Sequence, residues 1–195
     1  MLVYHFFRKH FNCLIMKKYI QVAVFVFLIV AFSEATAQTG QIKESGSNVT
    51  FSISHATGKV TGTFTGMQGS VNFDEQNPAA GSMEATVNAA TINTNNRARD
   101  KDLRNEKFFY TEKYPEIHFR SKEISQTANG YQVKGDLTIK DQTKEIVIPF
   151  EQEKKDGQRI FTGTVTINRK DFNLGLKTFP PMGKNANVTI VAVVE

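Results

Sequence analysis

Beyond residue 37 the chain has only two histidines, His55 and His118, and they fall on what read as separate strands. Two imidazoles and a carboxylate can hold a metal if a fold brings them together. However, the chain contains no H-E-x-x-H, no G-x-S-x-G, no P-loop and no G-x-G-x-x-G. The pair therefore reads as two unrelated polar groups on strand faces, and no catalytic residue, metal or cofactor is expected. His55 is the more informative of the two. It continues the apolar row of Val49, Phe51 and Ile53, and a polar group ending such a row needs a partner, a cavity or a ligand. Two readings stay open: a hydrogen bond to a ligand headgroup at the mouth of a lumen, or a histidine satisfied by a neighbouring strand or loop. His118 falls opposite the row of Ile117, Phe119 and Ser121 and is expected to face solvent.

Two other groups of side chains stand out. The densest charge run is Arg97, Arg99, Asp100, Lys101, Asp102, Arg104, Glu106 and Lys107. Its mixed signs suit a solvated helix face with local ion pairs; an anion-binding lid is the alternative. The second group is aromatic. Ten phenylalanines and no tryptophan lie beyond residue 37. Phe51, Phe64, Phe73, Phe119, Phe150 and Phe161 fall in strand-like segments, between Val, Ile and small residues, where they could line an elongated apolar cavity.

These residues need strands to place them. Val49–His55 alternates apolar and polar, the mark of a two-faced strand. Further strands are expected at 60–65, 70–73, 82–92, 117–124, 131–140, 144–151, 159–168 and 186–194. In 82–92, Met83, Ala85, Val87 and Ala89 share one face whose small members leave room. Ala128-Asn129-Gly130, Asp141-Gln142-Thr143 and Lys155-Asp156-Gly157 read as hairpin turns. Gly62, Gly135 and Gly163 interrupt strands, as at bulges, bends or barrel corners. The stretch from Asn95 to Phe109 is rich in helix formers and reads as one short helix, capped by Thr94, Asn95 or Asn96. Eight or nine antiparallel strands at this spacing suit an up-and-down barrel or a sandwich, and an eight-stranded barrel has room for packed side chains or for one small ligand. Gly175–Lys184 is an apolar loop fit to guard an entrance, touch a membrane or plug one end.

The first 37 residues bear on location. A basic start at Met16-Lys17-Lys18, an apolar run of about 13 residues and the small-residue site Ala35-Thr36-Ala37 have the layout of a secretory signal. The run is short of the ~20 residues that span a membrane; an uncleaved anchor is the alternative. Cleavage between Ala37 and Gln38 is expected, with Met16 a better start than Met1, and a periplasmic or secreted domain at 38–195. Residues 1–37 hold four of the 24 basic and one of the 19 acidic residues, leaving a net charge of about +2, which does not argue for a nucleic-acid partner. The only cysteine, Cys13, precedes the domain, so neither a disulfide nor a lipid-anchored cysteine is expected.

Several motifs follow one another in fitting order: Phe51-Ser52-Ile53-Ser54-His55, Val60-x-Gly62-x-Phe64, Gly69–Asp74, Ala90–Thr94, Arg99-Asp100-x-x-Leu103, Phe108-Phe109 with Tyr114-Pro115, Gly135–Ile139, and Ile167-Asn168-Arg169-x-Asp171-Phe172. Together they resemble the YceI-like family of secreted lipid-binding proteins over nearly all of 38–195. The resemblance implies an all-β fold, an extended lipocalin-like antiparallel barrel of about eight strands with one short helix. It implies an apolar pore for an isoprenoid or other long-chain lipid such as a fatty acid or amide, without enzyme activity. The expected lipid-binding positions are Phe51, Ile53, Phe64, Phe73, Val87, Phe119, Leu137 and Phe161, with His55 nearer the headgroup. Transient membrane contact and a homodimer are compatible with it. One departure is local: where the family often has His-Gly after the Leu-Thr-Ile strand, this chain has Lys140-Asp141-Gln142. A β-rich structural or protein-interaction module with a filled core is the competing reading, and the interior discriminates between them.

Overall fold

A computed structural model describes residues 39–56, 58–177 and 181–195. The expected secretory signal lies outside the described residues, as does part of the apolar 175–184 loop. Nine strands occur in the order β1 Thr39–His55, β2 Gly58–Phe64, β3 Gln68–Asn72, β4 Ser82–Asn88, β5 Glu116–Thr127, β6 Gly130–Ile139, β7 Gln142–Lys155, β8 Gln158–Asn168 and β9 Met182–Val194. The helix α1, Arg97–Arg104, lies between β4 and β5. Every pairing is antiparallel, and β1 closes the sheet on β9, with Val49 opposite Ile190 and Ile42 opposite Val194. The first residues of β1, Thr39–Gln41, pair with β3, whereas Val49–His55 pairs with β2. β2 and β3 thus share one place in the ring, and the result is a closed eight-stranded barrel, which leaves no long unpaired edge.

Alternation explains how the chain closes. On β8, Phe161, Gly163, Val165 and Ile167 face inward, and Thr162, Thr164 and Thr166 are exposed outside. Three hairpins are tight: Thr127 pairs with Gly130, Ile139 with Gln142, and Lys155 with Gln158. Lys140 takes a positive φ of 58° in the second of them, and its Nζ donates to Glu106 O at 2.9 Å. β1 begins ten residues earlier than the alternation suggests. A bulge between Lys43 and Asn48 interrupts its pairing with β9. Buried Ser47 repairs the gap: its hydroxyl accepts from Val193 N at 2.9 Å and donates to Lys43 O at 2.5 Å. A second bulge, between Ser121 and Glu123 of β5, lies opposite Gly135. A Cβ at 135 would come within 2.7 Å of Phe119 Cζ and 2.4 Å of Arg120 O, so only glycine lets the Phe119 ring turn inward here.

On the outer face of β5–β7, Lys122 reaches Asp136 at 2.6 Å and Glu145 at 3.3 Å, and Lys134 reaches Glu145 at 2.9 Å. The hydrogen bond from Lys134, then that from Lys122, holds the Glu145 carboxyl below its ordinary pKa. A depressed carboxylate contributes stability above its unfolded pKa and loses it as pH falls through the folded value. Glu145→Gln is therefore expected to lower Tm slightly at pH 7 and by less at pH 3, where acid begins to protonate the carboxyl. Calorimetry at the two pH values checks this; an equal drop at both would refute it.

Candidate functional site

The two ends of the barrel differ. At one end Phe73 meets Tyr131, Phe150 and Phe161 edge-on, with centroids 4.9, 5.5 and 5.7 Å apart, and Tyr131 stacks on Phe150 at 5.6 Å. Edge-to-face pairs at these distances add about 0.5–1.5 kcal/mol each beyond area burial. The Arg159 guanidinium lies 5.8 Å over Phe161 and donates to Phe73 O at 3.1 Å. This end is a solid plug.

Beyond the plug the barrel is hollow. A cavity of about 500 Å³ is walled by inward side chains of the strands, among them Val49, Phe51, Ile53, Ala85, Val87, Phe119, Leu137, Ile146, Val165, Ala186, Val188 and Ile190. Phe51, Phe119 and Leu137 point inward yet are only half-buried, because part of each faces the void. Phe64 stands 5.6 Å from Phe51 and 5.3 Å from Phe109, joining the wall to the segment after the helix. The charged or titratable lining residues are His55, Arg99, Asp102, Lys107 and Arg169. All five belong to the end opposite the plug, where β1 finishes beside Met182 of β9. Asp102 and Lys107 are exposed, so the cavity opens to solvent at this rim.

The helix forms one side of the rim and is anchored by its own charges. Asn96 caps it, its side chain accepting from Arg99 N at 3.0 Å. Asp100 is only 6% exposed and accepts from Thr94 N at 2.9 Å and Thr94 Oγ1 at 2.6 Å. Arg99 donates to Thr94 Oγ1 at 2.7 Å and Thr94 O at 2.8 Å, and Arg104 donates to Ala90 O and Ile92 O at 2.8 and 2.7 Å. The expectation of a solvated helix face with local ion pairs is thus corrected for Arg99, Asp100 and Arg104. Three of its charges turn inward, because Ala90, Ile92 and Thr94 offer backbone groups with no strand partner to satisfy them.

Across the rim, Arg169 is 6% exposed and donates to four carbonyls: Gly183 at 2.7 Å, Leu174 at 2.7 Å, Gly175 at 2.5 Å and Met182 at 3.1 Å. Burial pushes its guanidinium down from the ordinary arginine value, and no carboxylate pairs with it among the described residues. Gly175 N donates to Lys107 O at 2.8 Å, tying this loop to the segment after the helix. Gly175 has φ +55°, and a Cβ there would come within 2.4 Å of the Phe108 ring, so a side chain would prise the two halves of the rim apart.

Of the sequence-predicted positions, Phe51, Ile53, His55, Phe64, Val87, Phe119 and Leu137 line the cavity. Phe73 and Phe161 do not. They are 3% and 5% exposed within the plug, because the register of β3 and β8 sets them at the closed end. His55 is half-buried at the rim and is engaged within the fold. His118 is half-buried on the outer side, its Nε2 3.0 Å from Glu84 Oε1. No cluster of His, Cys, Asp and Glu able to hold a metal occurs among the described residues. Sequence reasoning missed Arg169, Lys107, Phe108, Phe109 and the aliphatic wall from Ile146 to Ile190. The wall was signalled by alternation at Val165 and Ile167 and at Ala186, Val188 and Ile190.

Comparison with known proteins agrees with this architecture. The model of the YceI-like domain matches residues 41–194. Protein YceI of Escherichia coli is 32% identical over 168 residues, covering 82% of this chain and 88% of its own length. UPF0312 protein plu2095 of Photorhabdus laumondii is 43% identical over 118 residues, 57% of this chain and 62% of its own length. Among solved structures, BcnA of Burkholderia cenocepacia superposes with a TM-score of 0.73 at 23% identity, covering 79% of this chain and 99% of its own. A polyisoprenoid binding domain from Saccharophagus degradans gives a TM-score of 0.66 at 15% identity, covering 80% and 97%. A closed barrel with a helix at its open rim, matched by the domain model from one end of the ring to the other, places this chain in the YceI-like family.

Proposed function

We propose that the chain encloses the apolar tail of one isoprenoid-type or similar long-chain lipid and carries it, without chemical change, through the periplasm or outside the cell. The observation that supports this most is the cavity. Its volume lies within the ~300–1,000 Å³ typical of small-molecule sites, its walls are aliphatic and aromatic, and its charged residues are confined to the rim. Transfer of a tail from water into such a lumen is favourable by about 0.8 kcal/mol per CH₂. Enclosure also avoids a large exposed apolar patch on the carrier. The Saccharophagus domain is described as polyisoprenoid-binding, and the layout of residues 1–37 supports export. The alternative, an interaction module, called for a filled core, and a void of about 500 Å³ speaks against it.

The test is native mass spectrometry of residues 38–195 purified from a bacterial periplasm without detergent, followed by organic extraction. A discrete adduct that extracts as a prenyl lipid is the expected result. Apo-protein that also refuses added isoprenoids and fatty acids would overturn the reading.

A further inference from the structure

Among the described residues two large apolar side chains are well exposed, Val147 at 43% and Leu176 at 53%. Val147 lies opposite Lys134, whose charge Glu145 offsets. Leu176 instead stands in a field of one sign. It shares an open basin on the outer surface with Lys107, Lys170, Lys177 and Lys184, and no carboxylate lines that basin. All four lysines are exposed. None of them makes an ion pair among the described residues, whereas Lys43, Lys122, Lys134 and Lys154 elsewhere on the barrel all pair with acids. Asp171, next in the chain to Lys170, accepts instead from Asn168 Nδ2 at 2.9 Å. This composition suits a bilayer better than a protein. Protein interfaces favour Tyr, Trp and Arg and are depleted of Lys. Lysines on flexible stems can follow a fluid array of anionic headgroups, each stem lying along apolar material with its ammonium in water. Like charge disfavours a second copy of the chain on this face. Affinity for a membrane surface grows with buried apolar area and with attraction to anionic lipids, and Leu176 with its lysines supplies both.

We propose that this face docks reversibly on an anionic phospholipid bilayer, with Leu176 entering the interface and the four lysines lying among the headgroups. Lys107 and Met182 line both the basin and the cavity, so the docked barrel turns its open end toward the membrane. The inference concerns the outer surface and is independent of what the cavity holds; its failure would leave the carrier reading untouched.

The test is sedimentation of residues 38–195 with vesicles of phosphatidylcholine, alone or mixed equally with phosphatidylglycerol. Each lysine near an anionic surface strengthens partition about fivefold, so the mixed vesicles are expected to bind the domain on the order of 100–1,000-fold more tightly. The preference should shrink as salt rises. The triple variant Lys170→Gln, Lys177→Gln, Lys184→Gln is expected to fall to within about tenfold of its binding to neutral vesicles. The double variant Lys154→Gln, Lys155→Gln, at the plugged end, should keep the wild-type preference. The chain contains no tryptophan, so Leu176→Trp and Val147→Trp each provide a single fluorescent reporter at an exposed position. Emission is expected to shift to the blue on mixed vesicles for Leu176→Trp and to stay unchanged for Val147→Trp. Equal binding to the two kinds of vesicle, binding that survives loss of the three lysines, or no binding at all would overturn the proposal. A shift at Val147 rather than Leu176 would assign the contact to another face and overturn it too. A Leu176→Trp emission that shifts with protein concentration in the absence of vesicles would assign the patch to a second copy of the chain instead.

Discussion

A barrel carrying Ala186→Phe, or Ala85→Phe, is expected to fold normally and to lose most of its affinity for lipid. Both alanines line the cavity. Ala85 lies opposite Phe119, and Ala186 lies between Ile53 and Ile167. A phenyl group at either position projects into empty space rather than into packed neighbours, so the overpacking that usually penalises small-to-large changes does not arise. Filling that space should raise Tm if it changes it at all. The ligand loses what the ring displaces. Excluding three or four methylenes removes about 2.5–3 kcal/mol, on the order of a 100-fold loss of affinity. Native mass spectrometry and a fluorescent fatty-acid displacement assay read the effect. Wild-type lipid content in both variants would place the lipid, if any, outside the cavity. These substitutions test the lumen more cleanly than Phe119→Asp, because a buried carboxylate threatens the fold itself.

The largest expected loss of stability is at Arg169. Arg169→Met keeps much of the side-chain volume and deletes every donor, leaving the carbonyls of Leu174, Gly175, Met182 and Gly183 without this partner. A buried acceptor left unpaired costs about 1–3 kcal/mol. With partial access to water at the rim, the sum is about 3–5 kcal/mol, or about 6–20 °C in Tm for a domain of this size. Local opening should exceed global unfolding. Hydrogen exchange is expected to accelerate first at Leu174, Gly175 and the start of β9, while the strands around the plug keep their protection. A Tm within 2 °C of wild type would mean that water replaces the guanidinium at no cost.

Much of this architecture was legible in the residues, and what was not has identifiable causes. Period-two alternation marked the later strands, and their turns carried Asn129-Gly130 and Asp156-Gly157. The first ten residues of β1 were missed because they are polar, contain two glycines and alternate poorly around the bulge. They are strand because β3 and β9 supply their hydrogen bonds, and that is a property of the closed ring. The phenylalanines show the same limit. Phe51 and Phe161 are equally inward on equally alternating strands, yet one borders the void and the other the plug. Height along the barrel axis separates them, and height follows from the register of every intervening pair. Arg169 was visible as part of a motif, but its partners come from the carbonyls of two separate segments, and carbonyls leave no mark on side-chain pattern. The helix was legible in place, with its cap Asn96 among three candidates, although it ends at Arg104, short of the Phe109 expected. The inward turn of Asp100 was not, because a run of mixed charges looks the same whether it meets water or bare peptide groups.

The aromatic plug carries a consequence for traffic. A tube sealed at its base can be filled and emptied only through one opening, so a chain must thread in end-first and withdraw by the same path. A lipid carried this way would be polarised: the tip of its tail would sit deepest, and the opposite terminus would stay at the doorway throughout. Whatever delivers or collects such a molecule would always meet that terminus first. The exchange rate would then be governed by how readily the loops around the doorway part, and the walls of the tube need not move.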